Sequence, residues 1–288
     1  MIKILDCTLR DGGYINNWQF EKNFIKKILI SLNKSNIDIT ELGYLKSNLN
    51  NGNNFSTIFD SIKKVDNFID DLELESNSEL FLMVDYGKFD FSLLEKSKYI
   101  KGLRLAFHKK DFNNIFEISN KIIALGYKLS IQPMVIDSYE EKELCDLLEK
   151  ISNYNIDSFY IVDSFGSLFP KDINKYFDLI NVLLDKKIKI GLHSHNNISA
   201  SFLCAKEFID NRFDREIIID STINGIGRGA GNLATEYITY YLEKFHQKNY
   251  FVKELLETNF FDKEFSNKFK YFYSGLNKIH PEKVELFF

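Results

Sequence analysis

The chain has 288 residues, 44% of them hydrophobic, enough to bury one large α/β barrel or two ordinary domains. Its formal net charge of −4, with no long run of Lys and Arg, argues against a nucleic-acid partner or an anionic membrane surface; a small anionic substrate would need local positive charge, such as a metal ion. Cys7, Cys145 and Cys204 are far apart and lack C-x-x-C spacing, and no stretch of about 18 apolar residues occurs, so the expectation is a soluble, cytoplasmic protein without a disulfide framework, a zinc knuckle or an export signal.

Apolar runs bounded by turn signals recur along the chain: "IKILDC", "IDITELGY", "LFLMVDYG", "IKGLRLAFH", "KLSIQPMV", "SFYIVDSFG", "KIKIGLHSH" and "EIIIDSTING". They are nearly continuous Ile, Val, Leu and Phe stretches, as parallel strands covered on both faces require. Helical spacing appears between them, at Phe20, Phe24, Ile28, Leu29 and Leu32, and again at Ile173, Tyr176, Phe177, Ile180 and Leu184. Ser138 with Glu141 reads as a capping box, and Pro170 suits a first helical turn. Strands alternating with helices over residues 1–245 predict an α/β fold, a closed (β/α)8 TIM barrel, with an open doubly wound sheet as the alternative. "SNLNNGNNF", from Ser47 to Phe55, is too polar to pack and reads as a loop over the barrel top. Residues 246–288 drop the alternation and predict a helical, aromatic-rich extension packed on the barrel or on a second copy in a homodimer.

Polar residues gather where the runs end, which is where barrel enzymes place their sites. His193 and His195 in "GLHSHNN" are two apart, so on a strand both face the lumen, and a same-face pair favours a divalent cation that would still need a carboxylate. In "ILDCTLRDGGY", Asp6, Thr8 and Arg10 share one face, whereas Asp11 falls at the strand end, with Gly12 and Gly13 freeing the backbone to turn. Asp11 is the better placed carboxylate for a metal at the mouth, and Asp6 reads as structural. Glu41, inside "TELGY", could pair with Arg10, because a buried guanidinium otherwise incurs a heavy desolvation cost. "INGIGRGAGN" is not a dinucleotide fingerprint, since Ala230 stands where the third glycine belongs; it reads as a tight turn or as a backbone-lined wall against substrate.

Together, "CTLRDG", the Glu of "ELG", "HSHNN" and "NGIGRGAGN" resemble the DRE-TIM metallolyases, the superfamily of 3-hydroxy-3-methylglutaryl-CoA lyase, the isopropylmalate and homocitrate synthases and the 4-hydroxy-2-oxovalerate aldolases. The resemblance implies a divalent metal, Mn²⁺ or Mg²⁺, held by Asp11, His193 and His195, with Arg10 donating to an enolate oxygen, Glu41 orienting Arg10 and Asn232 near the metal. Arg104 and His108 in "LRLAFH" and Asp163 in "VDSFG" are most similar to the aldolase versions, and would contact substrate. Tyr14 stands where those aldolases carry a histidine proposed as the base, and the glycine loop lacks the lyase cysteine. The tail is shorter than the C-terminal domains of the synthases and channelling aldolases; His280 within it is a surface or capping residue unless the tail folds over the mouth, where it could serve as acid or base. The implied activity is cleavage or formation of a carbon–carbon bond through a pyruvate-type enolate, on a 4-hydroxy-2-oxo acid. The alternatives are condensation of an acetyl or pyruvyl enolate with a carbonyl, a sugar included, or a metal-bound barrel without catalysis.

Overall fold

The alternating runs fold as strands β1 (Ile2–Asp6), β2 (Ile39–Leu45), the two-residue β3 (Ile58–Phe59), β4 (Glu79–Asp85), β5 (Ile100–Phe107), β6 (Lys128–Pro133), β7 (Ser158–Asp163), β8 (Lys189–Ser194) and β9 (Ile217–Ser221). This computed structural model describes residues 1–47, 57–210, 214–257, 260–262 and 264–288. All strand pairings are parallel; β1 pairs with both β2 and β9, closing eight strands into a barrel, and β3 adds only to β2. The expected (β/α)8 class is therefore the observed one. The Asn-rich loop, apart from Ser47, lies outside the described residues.

The strand period of two sorts side chains into two cores. Ile4, Leu82, Leu105, Ile131, Ile161 and Leu192 point outward into the layer shared with the helices. Leu5, Cys7, Ile39, Phe81, Tyr160, Val162 and Ile218 point inward and fill the lumen. Two glycines make room for the largest of these: a Cβ on Gly102 would stand 2.4 Å from the Phe81 ring, and one on Gly191 would stand 2.3 Å from the Tyr160 ring. β2 departs from the simple alternation at a register shift between Glu41 and Tyr44. The extra residue lets Glu41 and Tyr44, three apart, both face inward, as it lets Leu42 and Leu45 both face the helices. Gly43 sits at the shift, where any Cβ would land 1.9 Å from the Thr57 carbonyl oxygen.

The outer ring comprises α1 (Lys22–Lys34), α2 (Ile62–Leu72), α3 (Ile115–Ala124), α4 (Glu141–Ile151), α5 (Pro170–Leu183), α6 (Ser201–Asp210) and α7 (Thr235–Phe245). Between β4 and β5 only a 3-10 turn, Phe91–Leu93, forms. In and beside it the buried residues Phe89, Phe91 and Leu94 are spaced by two and three, a pattern that one helix face does not hold. Pro170 occupies the first turn of α5 as expected, but the expected cap of α4 is wrong. Ser138 Oγ donates to the Val135 carbonyl inside a preceding 3-10 turn, and the helix begins two residues later with the Glu140 N–H donating to Glu143 Oε2 at 2.8 Å. The 3-10 turn uses up the serine before the helix starts.

After α7 the tail forms α8 (Lys253–Leu256), α9 (Phe265–Asn277) and a 3-10 turn, Pro281–Phe287. Its aromatics are spent largely inside the chain: Phe272 stacks on Tyr237 at 3.9 Å and meets Phe202 edge-on at 4.7 Å, while Phe260 and Phe261 pack against Phe24 at 5.3 Å each. Among the described residues no helix is long and apolar enough to cross a membrane.

Candidate active site

β1 stops at Asp6, earlier than its apolar pattern suggested, because the Asp6 side chain takes over the backbone beyond it. Asp6 Oδ1 accepts from the Thr8 N–H at 2.9 Å and Oδ2 from Thr235 Oγ1 at 2.7 Å, an Asx-type turn that leads the chain out of the strand. Burial pushes the Asp6 carboxyl up to about 6. The N–H groups of Arg10 and Asp11 then both donate to the Cys7 carbonyl, at 3.1 and 2.8 Å, so Arg10 stands on a tight turn and not on a strand face shared with Asp6 and Thr8. Gly12 and Gly13 are required for closeness rather than for a left-handed backbone: neither has positive φ, and an added Cβ would meet Ile226 at 2.6 Å or Trp18 at 2.1 Å.

That turn delivers Arg10 to a wall of buried carboxylates. Its Nε donates to Glu41 Oε2 and its NH1 to Asp11 Oδ1, both at 2.6 Å, and the Trp18 indole N–H donates to the Arg10 carbonyl at 2.6 Å. NH2, the remaining guanidinium nitrogen, is buried without a partner. Glu41 is fully buried and receives a second cation, with Arg104 NH1 at 3.0 Å. Arg104 also binds Asp220, whose Oδ2 lies 2.9 Å from His193 Nδ1. Arg104 thus sits wholly buried one layer below the mouth and is not brought to the cavity; it supports Glu41 and Asp220.

Asp11, His193 and His195 each offer a ligand atom, all within 4.8 Å of one another. Burial opposes ionisation of Asp11, but the adjacent Arg10 guanidinium, helped by the two imidazoles and the Asn232 amide, holds its carboxyl at about 2. Asn232 Nδ2 donates to Asp11 Oδ2 at 2.6 Å and to the Ile226 carbonyl at 3.0 Å, which fixes the carboxylate. Burial, and then the neighbouring His193, bring His195 down to about 4, so it is neutral near pH 7, and its Nδ1 is buried without a partner. A fixed carboxylate, a neutral imidazole and a second imidazole oriented by Asp220 are a donor set that fits a divalent cation. Cys7, His193 and Asp220 also cluster, but burial pushes the Cys7 thiol up, it donates to the Ser221 carbonyl at 3.3 Å, and Asp220 Oδ2 is already held by Arg104 and His193.

Above this cluster a cavity opens at the C-terminal ends of the strands, walled by Arg10, Asp11, His193 and His195. Tyr14 reaches it from the turn after β1, 40% exposed, with its ring 4.7 Å from Trp18 and the Arg228 guanidinium 5.8 Å above it. Three further expected contacts, like Arg104, stand elsewhere. Asp163 follows the inward Val162, so strand parity turns it away from the lumen; it accepts from the Ser167 N–H at 3.0 Å and the Leu168 N–H at 3.3 Å and braces that loop. His108 is exposed outside the cavity wall, beside Lys109 and Val135. His280 is exposed at the start of the last 3-10 turn, accepting from the Glu282 N–H, and among the described residues no tail residue lines the mouth.

Ser164 of "VDSFG" lies on the cavity wall, to which the structure adds Tyr44, Asp85, Gln132 and Arg228. Gln132 Nε2 is a buried donor without a partner, and burial raises the Asp85 carboxyl against the opposing pull of Arg10 and Lys88. Both stand near the ends of their runs, "KLSIQP" and "LFLMVD", where polar side chains on a strand reach the barrel mouth.

Residues 1–260 match the HMGL-like family model. The chain belongs to the HMGL-like family. This is a family of carbon–carbon lyases and aldolases that use a divalent metal, consistent with the DRE-TIM resemblance of its motifs. Relatives include an oxaloacetate decarboxylase of Mycobacterium tuberculosis, 22% identical over 84% of this chain and 70% of that protein, and a 4-hydroxy-2-oxovalerate aldolase of Chloroflexus aggregans, 23% identical over 84% and 69%. Among solved structures, the N-terminal domain of a candidate aldolase from Bacteroides vulgatus superposes with a TM-score of 0.75 at 25% identity, covering 99% of this chain and 96% of that one. The HMG-CoA lyase of Bacillus subtilis gives 0.69 at 14% identity, covering 88% and 90%.

Proposed function

We propose that the chain is a divalent-metal-dependent aldolase that cleaves or forms the C3–C4 bond of a 4-hydroxy-2-oxo acid through a pyruvate-type enolate. The observation that carries this reading is the Arg10 guanidinium: it belongs to a residue that walls the mouth cavity, is buried and fixed by two carboxylates, and keeps one unpartnered nitrogen. A donor held in advance at the place where an oxyanion develops needs no reorganisation during reaction, which is what an enolate demands. Aldol cleavage of a 4-hydroxy-2-oxo acid and decarboxylation of oxaloacetate, the reactions named for the two relatives, both leave the enolate of pyruvate.

The side chains divide the work. Asp11, His193 and His195 would hold the cation, which when bound supplies Lewis-acid polarisation of the 2-oxo acid. Arg10 NH2 hydrogen-bonds the 2-oxo oxygen as it gains charge, and Glu41, itself braced by Arg104, keeps the guanidinium from turning. Gln132 offers its unpartnered amide N–H groups to the substrate carboxylate. Asp85 takes the 4-hydroxyl proton as C3–C4 breaks, its raised pKa suiting it to hold that proton, and Tyr14 hydrogen-bonds the same oxygen.

Deuterium uptake at C3 of pyruvate in D₂O, followed by mass spectrometry with Mn²⁺ present, tests the enolate without an acceptor. Uptake above the protein-free rate is expected. Metal binding without uptake would sink the reading.

A further inference from the structure

Beside the mouth cavity lies a second one, lined by Tyr14, Trp18, Tyr44, Lys46, Asp85 and Lys88, with Leu45 and Ile58. Tyr14, Tyr44 and Asp85 wall both cavities, so the two adjoin across these three residues. We infer that the side cavity is the acceptor subsite, and that it takes a hydroxylated aldehyde ending in an anionic group. This rests on the enolate reading above, which puts the pyruvate half beside Arg10 and Asp11 and leaves the C4 half to extend past Asp85.

Three observations determine the ligand class. The inner wall is an aromatic angle: Trp18 meets Tyr14 edge-on at 4.7 Å and Tyr44 edge-on at 5.7 Å, and its indole N–H is committed to the Arg10 carbonyl, so the ring cannot swing. Rigid rings with polar tips suit the C–H face and hydroxyls of a short polyol chain. The outer wall carries Lys46 and Lys88, both exposed, and among the described residues neither ammonium forms an ion pair. Among the described residues the one carboxyl lining the cavity is Asp85, at the junction with the mouth, and it is set against two ammonium groups, so the lining carries net positive charge and selects an anion. A two-carbon aldehyde would leave both the aromatic wall and the lysines uncontacted.

Phosphate and carboxylate share this chemistry, and the assay separates them. The metal-loaded full chain is given pyruvate with D-glyceraldehyde 3-phosphate or D-glyceraldehyde, and with succinic semialdehyde or butanal, and pyruvate consumption is followed. The wild type should favour the anionic member of at least one pair in kcat/KM, the pair identifying the group. Lys46→Gln and Lys88→Gln should each cut that preference roughly 10-fold, as loss of one partly exposed charge-assisted contact does, and the double variant should abolish it. No preference in the wild type, or a preference that survives the double variant with an unchanged melting temperature, overturns the assignment. Calorimetric titration of glycerol 3-phosphate and of glycerate needs no turnover. Binding of either that weakens at least roughly 10-fold in the double variant supports the subsite even where pyruvate shows no exchange, and equal binding by wild type and double variant overturns it even where exchange is seen.

Discussion

Arg10→Lys is the sharpest probe of the proposed chemistry, because it keeps the charge and removes the fork. Arginine meets Glu41 through Nε and Asp11 through NH1, each at 2.6 Å, and still has NH2 to spare. A lysine ammonium can satisfy one or both carboxylates only by moving toward them, and then no donor remains where NH2 stood. Removing one preorganised oxyanion donor costs about 3 kcal/mol of barrier, so pyruvate C3 exchange should slow roughly 100- to 1000-fold at saturating Mn²⁺. Losing one charge-assisted bond should cost the fold about 1.5–3 kcal/mol, within the 5–15 kcal/mol that holds a typical domain. Arg10→Ala is the poorer experiment: Glu41 would keep only Arg104 at 3.0 Å, and breaking a buried pair from one side costs about 3–5 kcal/mol, which mixes unfolding with catalysis. Exchange by folded, metal-loaded Arg10→Lys within about threefold of the wild type would remove the guanidinium from the mechanism.

Three further outcomes are expected. His193→Ala should abolish Mn²⁺ binding measured by calorimetry, and Asn232→Ala, which frees the Asp11 carboxylate, should weaken it roughly 10- to 100-fold; unchanged affinity in His193→Ala would misplace the site. Asp85→Asn should lower kcat for cleavage of a 4-hydroxy-2-oxo acid by about 100-fold or more, and a kcat near the wild type would take Asp85 off the proton path. Burial pushes Glu236 from an ordinary value of 4.5 up to about 8, so the folded state keeps a proton that the unfolded chain has shed, and stability falls as pH rises from about 4.5 to about 8. Glu236→Gln, which can still accept from the Asn224 N–H, should therefore gain on the wild type by more than about 1.4 kcal/mol between pH 5 and pH 8 in denaturant titrations, and a difference that does not change with pH would refute the buried proton.

The resemblance of the motifs, and the polar residues ending apolar runs, pointed to Arg10, Asp11, Glu41, His193 and His195, and the structure gathers these into one wall. Motif and parity part company at other positions. Asp163 was assigned to substrate by its motif, yet its neighbour Val162 already claims the lumen, and a strand cannot turn adjacent side chains the same way. Glu41 and Tyr44 show the converse: three apart, they share a face only through the register shift at Gly43, which no alternation count reveals. Arg104 lies on an inward-facing position, but depth along the strand, and not facing, decides that it braces Glu41 beneath the site.

The sequence by itself determined the barrel, because eight apolar runs at helix-spaced intervals have few right-handed ways to close, and it marked the metal-type donor set, because two histidines at strand spacing must share a face. Only the tertiary structure decided which polar groups are left unsatisfied, since that depends on every neighbour at once. It spent Asp163 on a loop, His280 on a turn and Arg104 on two carboxylates, and it left Arg10 NH2, Gln132 Nε2 and His195 Nδ1 buried without partners. Those three atoms, on residues drawn to one cavity wall from distant parts of the chain, are where a substrate or a cation has unmet hydrogen bonds or lone pairs to take up.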